Sequence, residues 1–98
     1  MPTHEQDQSF WRDWRWLNRQ QRRAFRKAAA ALNDDLAAGS GIRASLRAHP
    51  MKNHPGIWGL TWQGNDGRAT FRFGPEHTTG TSHVVWRRVG GHEIFENP

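Results

Sequence analysis

The chain contains no cysteine and no tyrosine among its 98 residues. Without thiols, a disulfide scaffold, a cysteine-based zinc finger and a thiol nucleophile are all excluded. Without a phenol, tyrosine-assisted proton transfer is excluded. Apolar residues are also scarce, at 35 %. No apolar run is long enough for a signal-peptide core or a membrane span, so a soluble cytoplasmic protein with no membrane partner is expected. Acidic side chains are few as well, nine against fourteen Lys and Arg, giving a net charge of +5. Such a balance favours nucleic acid or an acidic protein as partner, although it also serves solubility.

What the chain does have is aromatic bulk. Six tryptophans and five phenylalanines supply large buried areas to a core that is otherwise thin. The length allows one domain, residues 1–98, with residues 1–8 (MPTHEQDQ) polar, aperiodic and expected to be disordered.

From Ser9, an acceptable N-cap, Phe10, Trp14 and Leu17 recur at helical spacing and predict a helix over 9–17. Asn18 with Gln21 makes a variant capping box for a second helix over 19–38, closed by Gly39. Its alanines at 28–31 suit close packing on a sheet. After residue 40 the period becomes two. IRASLRAH alternates weakly and predicts a first strand ended by Pro50. Residues 57–63 and 68–73 alternate cleanly around QGNDGR, which is hairpin chemistry, and HVVWRRV predicts the last strand. The expected fold is α+β: two amino-terminal helices packed on one face of a small, mainly antiparallel sheet of three to four strands.

On that plan Trp58, Leu60, Trp62, Ala69, Phe71 and Phe73 turn toward the helices. The opposite face carries Ile57, Gly59, Thr61, Arg68, Thr70 and Arg72. In the last strand Trp86 is taken as the core residue, which sends Arg87 to the open face. Small side chains with spaced arginines make a floor on which a polyanion can lie, and the same composition also fits an ordinary solvated face.

The helices add a second cationic surface. Arg12, Arg15, Arg19, Arg22, Arg23, Arg26 and Lys27 place seven cations in sixteen residues against Asp13 alone. A solvated helix face usually mixes its signs, so this one predicts binding to phosphates or to an acidic protein segment.

The motifs PGIWGLTW, GRATFRFG and VVWRRVGGHEIF, in this order after two helices, resemble the RelE/ParE superfamily of toxins from bacterial type II toxin–antitoxin systems. Within it they look most like the RelE-like branch of high-GC actinobacteria. The likeness runs from about residue 10 to residue 96. It implies a ribosome-dependent mRNA endonuclease that cleaves mRNA in the A site without metal or other cofactor. Attack of a 2′-hydroxyl on the adjacent phosphate needs a base, an acid and cations around the phosphate.

The resemblance further implies a site. Arg68, at the hairpin exit, and Arg87 would act on the phosphate, and His92 in the tail would carry a proton. Phe95, at the terminal aromatic position, would stack on a base. Lys52, His54, Arg72 and Arg88, with Arg19, Arg22, Arg23 and Arg26 of the second helix, would contact RNA. The implied partners are a cognate antitoxin, the ribosome and mRNA. Family members often carry Lys or Glu where Gly59 and Thr61 stand, and neither can transfer protons. The alternative is therefore a non-catalytic, ParE-like or degenerate member that binds gyrase or RNA. A further reading, a small RNA-binding module, needs the opposite strand parity, with Trp58 and Trp62 exposed. Among the other histidines, His4, His49, His77 and His83 lack metal-ligand spacing, and no metal site is expected.

Overall fold

The computed structural model describes residues 2–63, 66–77 and 79–98. Its elements follow the order β1 (Thr3–Gln6), α1 (Gln8–Trp14), α2 (Arg19–Ala38), β2 (His49–Pro50), β3 (Trp58–Gln63), β4 (Gly67–Gly74) and β5 (His83–Gly90). A 3-10 turn at Ala44–Leu46 precedes β2, and another at His92–Glu96 follows β5. The five strands form one sheet in the order β1-β5-β4-β3-β2, antiparallel throughout except for the parallel β1–β5 pair. The α+β plan with two helices holds, with five strands instead of three to four.

The second helix starts and stops by local chemistry. Asn18 Oδ1 accepts from the Gln21 amide and Gln21 Oε1 accepts from the Asn18 amide, both at 2.8 Å. Each such bond satisfies an orphan donor and is worth about 1 kcal/mol. Gly39 ends the helix with φ 72°, a left-handed conformation that glycine adopts without a side-chain clash. The first helix begins differently from expectation. Asp7 is its N-cap, and the Ser9 hydroxyl donates instead to the Arg87 carbonyl at 2.7 Å, pinning α1 to β5.

The helices cover one sheet face. Phe25 stands edge-on to Trp86 at 4.9 Å between ring centroids, and Phe71 lies 5.4 Å from the same indole. Leu32, Leu60, Ala69, Val84 and Val89 fill the space around them, and Trp62 is buried as expected. Ala28 is buried and Ala29 and Ala31 pack against the core, so the alanine run does allow close approach of α2. Trp58 and Phe73 share the inward parity but lie at the margin. Trp58 is half-buried against Phe71, and Phe73 is 40 % exposed.

Three expectations are corrected. Residues 3–6 are not disordered: they form a parallel edge strand on β5. Its backbone ladder is reinforced by Thr3 Oγ1 to His83 Nδ1 at 2.7 Å and by Glu5 Oε1 to His83 Nε2 at 2.6 Å. IRASLRAH is not a strand. Leu46 buries itself through the 3-10 turn, Arg47 turns left-handed at φ 50°, and only His49 and Pro50 reach β3. Pro50 has no N–H with which to extend the ladder.

The third correction concerns β5. Thr70 pairs with Arg88 while the next residue, Phe71, pairs with Trp86, so Arg87 is the extra residue of a β-bulge. The bulge resets parity, and Val89 joins Val84 and Trp86 in the core instead of facing away.

The same bulge aims Arg88 at α1. Its Nε and Nη2 donate to the Asp13 carboxylate at 2.6 and 3.2 Å, and the Val89 amide donates to the same group at 3.1 Å. The pair holds the Arg88 guanidinium above its ordinary pKa, chiefly through the Asp13 hydrogen bond. These charge-assisted bonds are partly shielded from water and are worth on the order of 2 kcal/mol. The Asp35–Arg43 pair is less shielded, Arg43 being 47 % exposed, and contributes little.

Thr70 is fully buried, and its Oγ1 has no partner among the described residues. Replacing that hydroxyl by a methyl in Thr70→Val is expected to stabilise the fold by about 1 kcal/mol. The check is the denaturant midpoint at unchanged m-value. A loss of similar size would show that the hydroxyl is bonded.

Candidate nucleic-acid interface

The helix-free face of the sheet is built around Gly59. Register sets it between His49 of β2 and Thr70 of β4, while Arg68 lies between Thr61 of β3 and Gly90 of β5. After β5 the chain folds back through the turn His92–Glu96, anchored by Ile94, which is buried at 2 % exposure. A Cβ at position 59 would stand 2.9 Å from Met51 Sδ, 2.9 Å from Phe95 Cζ and 3.2 Å from His49 Cε1. The missing side chain is thus the seat of three others. Glycine is required here for close approach, and it is buried as a result.

Phe95 is the hub of this arrangement. The Arg68 guanidinium lies over its ring at 5.9 Å from the centroid, a cation–π contact worth about 0.5–1 kcal/mol. The His49 ring stands edge-on at 6.0 Å and the His92 ring is tilted at 6.4 Å. Arg68 also donates from Nη1 to the Gly67 carbonyl at 3.1 Å, and it has no carboxylate partner among the described residues. A half-buried arginine held by an aromatic ring and a carbonyl keeps donors in hand for an anion.

His49 can be assigned a protonation pattern. Its Nδ1 lies 2.8 Å from the Arg47 carbonyl, which can only accept. In the neutral ring the proton must therefore sit on Nδ1, leaving Nε2 unprotonated as a base. His92 is exposed in the tail.

Of the residues expected from sequence, Arg68, His92 and Phe95 are brought together. Arg87 and Arg88 are not: their donors serve the fold. Arg87 lies 3.8 Å from the Asp7 carboxylate, and its Nε donates to the Pro98 carbonyl at 3.4 Å. Arg88 bonds Asp13 and, through Nη1, the Asn97 carbonyl at 2.9 Å. Exposed Lys52 and half-buried His54 lie in the loop closed by the Met51 amide on the Ile57 carbonyl, beside the cluster.

Arg72 shares the helix-free face but lies at the far end, where it and Glu5 flank Val85 across the sheet. Arg19, Arg22, Arg23 and Arg26 lie on α2, across the sheet from Arg68. Arg22 donates twice to the Trp14 carbonyl, and the Arg22 and Arg26 guanidinium groups lie over the Trp14 ring.

Sequence reasoning missed His49 and Met51. The one signal that could have found them was Gly59 itself, since a glycine inside a strand marks a close approach by something else. The loop sequence HTTGTSH allows His77 and His83 to come together, and they do. Their rings stack at 3.9 Å between centroids, with Glu5 beside them, the only trio of His and acidic groups among the described residues close enough to share an ion.

No known protein-family model matches the chain, and no curated protein matches it either. Solved structures do match. YafQ from Escherichia coli superposes with a TM-score of 0.62 at 16 % identity, over 96 % of this chain and 97 % of that one. The RelB–RelE antitoxin–toxin complex from Methanococcus jannaschii matches with a TM-score of 0.60 at 10 % identity, over 94 % of each chain. The E. coli DinJ–YafQ complex matches at 0.57 and 13 % identity, over 96 % and 97 %. The finer likeness to an actinobacterial branch finds no support among these. The chain has the fold of YafQ and of RelE.

Proposed function

We propose that the protein is the toxin of a type II toxin–antitoxin pair, acting in the cytoplasm as a ribosome-dependent endonuclease on mRNA in the A site. The observation that carries this reading is the convergence of Arg68, His49 and His92 on Phe95 over Gly59. Those four side chains supply what cleavage by a 2′-hydroxyl requires. Phe95 stacks on a base and places the neighbouring phosphate beside Arg68. His49 Nε2 accepts the 2′-hydroxyl proton as that oxygen attacks phosphorus. His92, protonated, donates to the departing 5′-oxygen, leaving a cyclic phosphate and a 5′-hydroxyl. Arg68 pairs the non-bridging oxygens as charge builds on them. No step is assigned to a metal or other cofactor.

The remaining cations take supporting parts in this proposal. Lys52, His54 and Arg72 extend the contact along the RNA strand. Arg87 and Arg88 position the tail that carries His92 and Phe95. Arg19, Arg23 and Arg26 face away from the cluster and suit ribosomal RNA phosphates or an acidic antitoxin. Trp11 on α1 and Trp16 in the turn after it, 50 % and 85 % exposed, give that side an apolar component as well. Two of the structurally similar proteins are known in complexes named for a toxin–antitoxin pair, RelB–RelE and DinJ–YafQ. No helix among the described residues is long and apolar enough to cross a membrane.

The competing reading is a ParE-like or degenerate member that acts by binding gyrase or RNA. It rests on Gly59 and Thr61, which bring no proton-transfer group. The two readings separate on programmed ribosomes. Wild-type protein is expected to cut mRNA in the A site. Arg68→Ala should cut about 100- to 1,000-fold more slowly, and His49→Ala and His92→Ala about 100-fold or more. Absence of cleavage by folded wild type overturns the enzymatic reading, and full activity of Arg68→Ala overturns the site.

Gly59→Ala probes the same geometry without touching an ionisable group. Displacing Phe95 and Met51 from their seat is expected to lower cleavage at least tenfold, because small misplacements at a reacting centre cost orders of magnitude. Thermal melting would confirm that the variant is folded.

A further inference from the structure

A second constellation lies on the same helix-free face, at the opposite end of the sheet from Arg68. Glu5 of β1, His77 of the β4–β5 connection and His83 at the start of β5 each offer a ligand atom, all within 4.8 Å of one another. Three segments far apart in the sequence meet there, and His83 is 1 % exposed.

We infer that Glu5, His77 and His83 bind a divalent transition metal of the zinc, cobalt or nickel class. Two imidazoles and one carboxylate form a donor set suited to these ions, with room for a water or other exogenous ligand as the fourth. Tetrahedral bonds of about 2.0–2.1 Å set ligand atoms roughly 3.4 Å apart, so Glu5 Oε1 must draw back from His83 Nε2, now 2.6 Å away, while His77 closes in. Glu5 and His77 are both exposed, which leaves them room to move.

His83 is already oriented. The Thr3 hydroxyl lies 2.7 Å from Nδ1 and can accept its proton, the usual outer contact that turns a histidine's other nitrogen toward a metal. In that tautomer Nε2 carries the lone pair and faces Glu5 Oε1, 2.6 Å away, with the second imidazole stacked at 3.9 Å. Without an ion the other tautomer serves, Thr3 donating to Nδ1 and Nε2–H donating to Glu5. A bound ion would replace that shared proton.

Arg72 faces the same group from β4, and Val85 walls the site near Gly74. The Arg72 charge opposes a dication, so it limits affinity without supplying a ligand. The bound ion would fasten the amino-terminal strand to β5 and to the connection before it. His83 and Gly90 are separated by the length of β5, roughly 20 Å. The ion is therefore a fold clamp remote from the Arg68 cluster, and the inference does not depend on RNA cleavage.

The test uses full-length, tag-free protein stripped with a chelator and titrated with zinc or cobalt chloride. Wild type is expected to bind one ion per chain and to melt about 10 °C higher at a hundredfold excess over Kd. His77→Ala, which alters an exposed side chain, and Glu5→Gln should each weaken binding by at least about tenfold. Arg72→Gln should tighten it. The inference is overturned if wild type shows no saturable binding below about 100 µM. Equal affinity in His77→Ala would overturn it too, because the ion would then sit on other histidines.

Discussion

The guanidinium of Arg88 joins three parts of the molecule that share no sequence proximity. Two of its nitrogens bond the Asp13 carboxylate of α1, a third bonds the Asn97 carbonyl beyond the last turn, and its backbone belongs to the bulge of β5. Asp13 in turn receives the Val89 amide. The tail that carries His92 and Phe95 is therefore tied to the helix layer as well as to the sheet. A like pattern recurs one residue earlier, where Arg87 meets Asp7 and the Pro98 carbonyl. Two adjacent arginines, which on a flat strand would point to opposite faces, both serve to seat one short turn. Only the extra residue of the bulge makes that possible.

With the turn seated, the rest of the candidate site follows from subtraction. A side chain at position 59 would occupy the place of Phe95, Met51 and His49. Its absence lets an aromatic ring lie on the sheet with cations and imidazoles around it. The face that looked bare is thus a recess already filled by residues from other elements, and its arginine is steered by a ring instead of neutralised by an acid. Helix cations form a separate surface on the far side of the core. A polyanion cannot engage both at once along one sheet face, so the two basic regions suit different partners.

Much of the architecture was legible because it rests on local chemistry. Asn18 with Gln21 and the glycine at 39 bound α2 through bonds between residues three or four apart. Alternation around the hairpin assigned Leu60, Trp62, Ala69 and Phe71 to the core correctly. What was not legible depended on distant partners. Nothing in residues 3–6 signals a strand, since its stability comes from a ladder and a histidine some eighty positions away. The bulge at Arg87 is a property of pairing register, so the alternation of HVVWRRV could show neither that Val89 joins the core nor that Arg87 turns to Asp7 and Pro98. His49 looked like one more loop histidine because its importance lies in standing opposite Gly59. Of the site residues suggested by family likeness, those adjoining the glycine were brought together, and those on the bulge and on α2 were not.

The parallel pairing of β1 with β5 has a consequence for biosynthesis. Thr3–Gln6 is synthesised eighty residues before its partner, His83–Trp86. Gly59 likewise precedes Phe95, the ring that covers it. A nascent chain therefore presents α1, α2 and their unneutralised cations well before the opposite surface acquires its imidazole and aromatic components. Closing so long a loop adds only about 0.6 kcal/mol for each doubling of its length, so the delay is one of timing more than of stability. A binding protein that captures the helices cotranslationally would reach this polypeptide while it is still chemically incomplete.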